Sequence, residues 1–288
     1  MNKYLITNSD DFGLTKSITD AIIDTHINGI MTSTTLMANM EGTDYAIQKA
    51  KEITTLGVGI HFNLTEGKPL SDFHKIPLLL NQKGEFKNNN KQRKNFLFGK
   101  EEQKQVEFEL SNQLSYLLDN GVVPTHFDSH HHITGTPVAF KASMNVAKKY
   151  NILKARITNI DFLYANDYVS GSISKLKKKI KLLPKALIHN TNKSRLRAQD
   201  FKTPDTKILP NRVLPIESNP DAQFIKALSV LKQSVTEISL HPGYVNSYPN
   251  DSEKTATLRL RDMEVANSKE VLLYLKKHNI QLISFKDL

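Results

Sequence analysis

Short apolar runs of strand character alternate along this chain with longer stretches in which apolar residues recur at helical spacing. The strand-like runs are Tyr4–Asn8, Ser33–Asn39, Val58–Leu64, Thr125–Ser129, Ala155–Thr158, Glu237–His241 and Gln281–Phe285. The helix-like stretches are Ser17–Asn28, Thr43–Ile53, Glu101–Asn120, Pro137–Tyr150, Ala222–Gln233 and Thr257–Lys277, with Pro137 suited to a first helical turn. This rhythm predicts an α/β protein with a mostly parallel sheet and helices packed outside it. It suits a (β/α) barrel, complete or distorted, with an open doubly wound sheet as the alternative.

Two stretches break the rhythm. Residues 71–100 are rich in Asn, Lys and Gly, and 159–220 carry several prolines and a lysine cluster. They read as insertions on one face of a single domain covering 1–288, because long excursions from an α/β scaffold are usually lids or binding loops. No internal repeat is visible.

Charge and composition narrow the chemistry. The 39 Lys and Arg exceed the 29 Asp and Glu, giving a formal charge of +10. Much of the excess lies between Ser174 and Arg195, without the aromatic interleaving of a nucleic-acid surface. A solvated helix and loop is the plain reading, and contact with a polyanion the other. The absence of Cys excludes disulfides, thiolate zinc sites, iron–sulfur clusters and a Cys nucleophile. The N-terminal run meets two acids instead of continuing as a secretory signal, and no window approaches the roughly 18–20 apolar residues of a membrane span. A cytoplasmic protein is expected.

Polar residues able to bind metal or move protons stand at the ends of four predicted strands. These ends read Asn8-Ser9-Asp10-Asp11-Phe12-Gly13, His61-Phe62-Asn63-Leu64-Thr65-Glu66, His126-Phe127-Asp128-Ser129-His130-His131-His132 and Leu240-His241-Pro242-Gly243. In parallel α/β folds that edge is where loops converge on an active site. Adjacent carboxylates on a strand point to opposite faces, so Asp10 and Asp11 need different roles or a twist that turns both into one cleft. A helix-capping pair is the structural alternative. His126, Asp128, His130 and His132 alternate and so line one face of an extended chain, an arrangement costly to bury without a compensating cation.

An Asp/His/His set with open positions suits Zn2+, Mg2+, Mn2+ or iron and leaves room for water. Hydrolysis also needs a base near that water and an acid for the leaving group. Asp10 and His241 are the natural candidates, although His241-Pro242-Gly243 alone is equally a turn after a strand. No Gly-x-Ser-x-Gly elbow, phosphate loop or dinucleotide fingerprint is found.

Taken together, the blocks ITNSDDFGLTKSI, NGIMTSTTLMAN, VGIHFNLTEGKPL, PTHFDSHHH and EISLHPGY resemble the YdjC-like carbohydrate deacetylases. The resemblance implies a distorted (β/α) barrel of the glycoside hydrolase/deacetylase type and a divalent metal, usually magnesium, with zinc or another divalent ion as the alternative. It implies metal ligation by Asp11, His61 and His130, with Asp10 as proton acceptor and His241 as a leaving-group acid or a substrate contact; His132 is the other candidate for the acid. The activity implied is hydrolysis of a linear amide bond, the N-acetyl group of an N-acetylated mono- or oligosaccharide, with release of acetate. Neither nucleic acid nor membrane is an expected partner; a homodimer is the common assembly at this size. A metal-dependent phosphoesterase and a non-catalytic nucleic-acid-binding protein are the competing readings.

Overall fold

The computed structural model describes residues 3–157, 192–208, 219–232 and 234–288. Most of the lysine cluster, from Ser174 to Thr191, lies outside the described residues, as does Thr158.

The strands are β1 (Lys3–Phe12), β2 (Ser33–Leu36), β3 (Gly57–Phe62), β4 (Phe127–Ser129), β5 (Thr206–Ile208), β6 (Val235–Leu240) and β7 (Ile280–Leu282). Between them run α1 (Lys16–Ile27), α2 (Thr43–Glu52), α3 (Asn89–Asn95), α4 (Lys100–Asp119), α5 (Pro137–Lys149), α6 (Pro220–Ser229), α7 (Glu253–Ala266) and α8 (Lys269–Lys277). All strand pairings are parallel, in the order β4-β3-β2-β1-β6-β5, with β7 also pairing β1. Single bridges continue from Phe127 of β4 to Ala155, and from Lys154 to Lys202 just before β5. One stretch of chain, 202–208, thus touches both ends of the strand order, and the sheet curls into a distorted barrel.

Strand alternation sorts the side chains into two environments. From β3, Val58, Ile60 and Phe62 join an apolar cluster with Ile18 and Ile22 of α1, Leu110 and Leu114 of α4 and Ala142 of α5. From β6, Ile238 and Leu240 pack with Phe224 and Leu228 of α6 and Val271 and Leu275 of α8. The alternate residues make a buried polar face: Asn8, Asp10, His61, His126, Asp128, Lys207 and Glu237.

Two expected elements, a strand and a helix, differ from those observed. Of the strand expected at Ala155–Thr158, the described residues 155–157 carry a single bridge, at Ala155, and β5 lies within 159–220. Within residues 71–100, Ile76, Leu79, Leu80, Phe86 and Phe96 are buried in the same cluster as α4 and α5. The long helix expected at Thr257–Lys277 is two, because Ser268 caps a new helix by accepting the amide of Val271.

Candidate active site

At the end of β1 the register against β2 slips between Ser9 and Phe12, and Asp11 takes a left-handed φ of 69°. A bulge re-aims side chains that a regular strand would send to opposite faces. Both Asp10 and Asp11 are therefore buried in one cluster, and Asp remains tolerable in this backbone region, which most residues avoid. The chain leaves through Gly13, whose φ of 88° suits glycine.

Asp11, His61 and His130 meet here. One donor atom from each lies within 4.8 Å of the others. Asp11 Oδ1 is 3.6 Å from His61 Nε2 and 3.1 Å from His130 Nδ1. Asp11 Oδ2 instead accepts from Arg259 Nη2 at 2.9 Å, which leaves Oδ1 as the oxygen turned to the imidazoles. His61 donates through Nδ1 to Asp128 Oδ1 at 2.5 Å, and β3 and β4 place these two residues in register. Burial would lower the pKa of His130, but hydrogen bonds to Asp11 and Glu66 outweigh it and raise the imidazole to about 9.

The alternating set at 126–132 does not share one role. Extended backbone stops at Ser129, and His131 and His132 are left-handed, so only His126 and Asp128 share the strand face. His126 stacks on Phe285 with ring centroids 3.7 Å apart and donates to Asn8 Oδ1. Burial pushes it down to about 3, a neutral core imidazole. Arg93 of α3 donates to the carbonyls of His131 and His132, holding the turn that aims His130 inward. His132 joins no metal-capable group among the described residues.

Asp10 lies against a buried arginine. Arg156 Nη1 and Nη2 donate to its two oxygens at 2.7 and 2.6 Å, while Nε donates to Glu237 at 2.6 Å and Nη1 also pairs with Asp128. Burial would raise the Asp10 carboxyl, yet Arg156 and His241 hold it well below the usual carboxylate range. His241 Nε2 is 3.5 Å from Asp10 Oδ2, and this side chain remains 31% exposed. Behind it, Asp262 accepts the His241 amide at 2.8 Å and lies 3.9 Å from Nδ1. Burial raises Asp262 to about 6 against the opposing pull of His241 and Arg259. A cavity of about 550 Å³ opens beside Glu66 and His131, lined also by Asn81 and residues 85–91.

Residues 4–277 match the family described as YdjC-like protein. The chain belongs to that family. A carbohydrate deacetylase of Clostridium beijerinckii is 34% identical over 284 residues, covering 99% of either chain. Another, from Geobacillus stearothermophilus, is 41% identical over 179 residues, 59% of this chain and 70% of that one. A crystal structure of an Enterococcus faecalis protein matches 100% of this chain and 99% of its own, with a TM-score of 0.74 and 26% identity.

Sequence reasoning missed several members of this YdjC-like site. Arg156 and Arg259 carried no signal, being arginines amid ordinary segments. Asp262 lies within a helix where acids are usual. Glu66 was visible in the block after β3 but had no evident partner. No helix among the described residues is long and apolar enough to cross a membrane.

Proposed function

We propose that this protein is a metal-dependent carbohydrate deacetylase that hydrolyses the N-acetyl group of an N-acetylated amino sugar or oligosaccharide. The observation that carries this reading is the convergence of Asp11, His61 and His130 beside the facing pair Asp10 and His241. Membership of a family whose full-length relative is a carbohydrate deacetylase supports the substrate class.

The donor set fits a divalent ion: one carboxylate oxygen and two imidazoles, in a pocket where buried carboxylates gather. Held by Asp11, His61 and His130, such an ion would polarise the acetamide carbonyl and raise the acidity of a nearby water. Asp10 accepts the proton of the attacking water. Arg156 fixes the carboxylate and keeps it ionised despite burial, so Asp10 is a weak base that works only on an acidified donor. His241, within reach of Asp10 and open to the cleft, delivers a proton to the departing amine nitrogen. Asp262 behind His241 steadies its orientation by accepting the His241 amide and lying 3.9 Å from Nδ1. The C–N bond breaks, and acetate and a free amine leave.

The same reading carries the finer expectations of one catalytic domain over 1–288, magnesium as the ion, a cytoplasmic location and a homodimer. Imidazole favours Zn2+ or Fe2+ while the carboxylate and water also admit Mg2+ and Mn2+, so each ion is compared in the assay. Acetate release from N-acetylglucosamine and its oligomers is measured beside phosphate-ester hydrolysis. Asp10→Asn is expected to keep bound metal and lose about 100-fold or more of turnover, while His130→Ala loses both. Full acetate release by Asp10→Asn, or hydrolysis of phosphate esters alone, would overturn the assignment.

A further inference from the structure

The two imidazoles of the candidate metal centre are held from behind in parallel fashion. His61 turns Nε2 toward Asp11 and gives Nδ1 to Asp128. His130 turns Nδ1 toward Asp11, and its Nε2 lies 2.9 Å from Glu66 Oε2. Resting on the metal reading above, we propose that Glu66 is a positioning residue: it accepts the Nε2 proton of His130, so that Nδ1 is the atom His130 offers to the divalent ion.

Glu66 is built to hold still. Asn63 Oδ1 accepts the amide of Glu66 at 3.2 Å, and Asn63 Nδ2 donates to the Glu66 carbonyl at 2.8 Å. The carboxylate is 23% exposed, and its second oxygen accepts the hydroxyl of Tyr248, which is itself bonded by Asn250 Nδ2 at 2.9 Å. The loop after β3 is thereby tied to the segment between β6 and α7 through one carboxylate, with His130 at the junction. A carboxylate behind a metal-bound imidazole fixes its tautomer and ring orientation and makes it a better donor. His130 and Glu66 stand 64 positions apart, too far for any local pattern to link them.

The test is calorimetric titration of the full chain with Mn2+. Wild type is expected to bind one ion per chain, and His130→Ala none. Glu66→Gln is expected to bind one ion about 10–100-fold more weakly. Its kcat should recover at saturating Mn2+ with an unchanged KM for N-acetylglucosamine. Tyr248→Phe, which alters a partly exposed ring, should show a smaller loss at an unchanged melting temperature and covers the case in which Glu66→Gln fails to fold. In the Zn2+-loaded wild type, 15N spectra of the histidines should place the His130 proton on Nε2. Undiminished Mn2+ affinity in Glu66→Gln with a raised KM would make Glu66 a sugar contact and overturn the proposal. So would a proton on Nδ1, or two ions in wild type falling to one in Glu66→Gln. Failure of wild type to bind any ion overturns the metal reading itself.

Discussion

Asp262 shows how one buried carboxyl can be tuned for function against stability. Among the described residues its one hydrogen bond comes from the His241 amide, and its Oδ1 has no partner. The groups facing it are His241, Arg259 and Arg261, and burial still raises it to about 6. The folded chain therefore holds this proton more tightly than the unfolded chain, whose Asp titrates near 3.9. The penalty is small below that value, grows as pH rises from about 4 to 6, and is full above 6. Asp262→Asn keeps the carbonyl acceptor and removes the charge. It should stabilise the protein at pH 7.5 by on the order of 2 kcal/mol, with the gain shrinking toward pH 4 in melting experiments. Turnover should fall, because His241 loses the negative charge behind it. A gain independent of pH would instead assign the effect to packing.

At the scale of the element, the site depends on where regular structure stops. Had β1 continued without its bulge, Asp10 and Asp11 would point apart. Had β4 continued past Ser129, His130 would follow the strand alternation instead of the turn held by Arg93. Gly59 of β3 shows the opposite need, for close approach: a Cβ there would stand 2.5 Å from the His126 ring. Gly59→Ala should destabilise the protein by about 1–3 kcal/mol and shift His126 off Phe285. Denaturant unfolding and the His126 ring signals by NMR would check it, and an unchanged midpoint would mean that the strand relaxes freely. The expected barrel rhythm was readable because apolar residues at period two and helical period mark buried faces directly. β5 was not readable: its three residues include a lysine, and so short a strand leaves little pattern.

Across the whole molecule, the curl of the sheet gathers charges from five separate stretches: Asp10 and Asp11 of β1, His61 of β3, Asp128 and His130 at β4, Arg156, and Glu237 of β6. Arg156 pairs with Asp10, Asp128 and Glu237, so one cation neutralises part of a cluster that would otherwise be costly to bury. A divalent ion among Asp11, His61 and His130 should therefore stabilise the fold as well as support the reaction. Adding Mg2+, Mn2+ or Zn2+ to chelator-treated protein is expected to raise the melting temperature with concentration, the stability gain reaching about 2.7 kcal/mol at a hundredfold excess over Kd. Asp11→Ala should abolish that rise. A rise of equal size in Asp11→Ala would locate the ion elsewhere.

The sequence alone determined the α/β alternation, the placing of acids and imidazoles at strand ends, and the family resemblance, since these depend on local periodicity and short motifs. Asp10, Asp11, His61, His130 and His241 were all legible in that way. Tertiary structure decided which of them meet and what stands behind each: Asp128 behind His61, Glu66 behind His130, Arg156 against Asp10 and Asp262 beneath His241. Those pairings arise from sheet curvature, a bulge and left-handed turns, which bring together residues 21 to 146 positions apart. A charged side chain takes its role from the neighbour that compensates its burial, and that neighbour is chosen only when the chain closes.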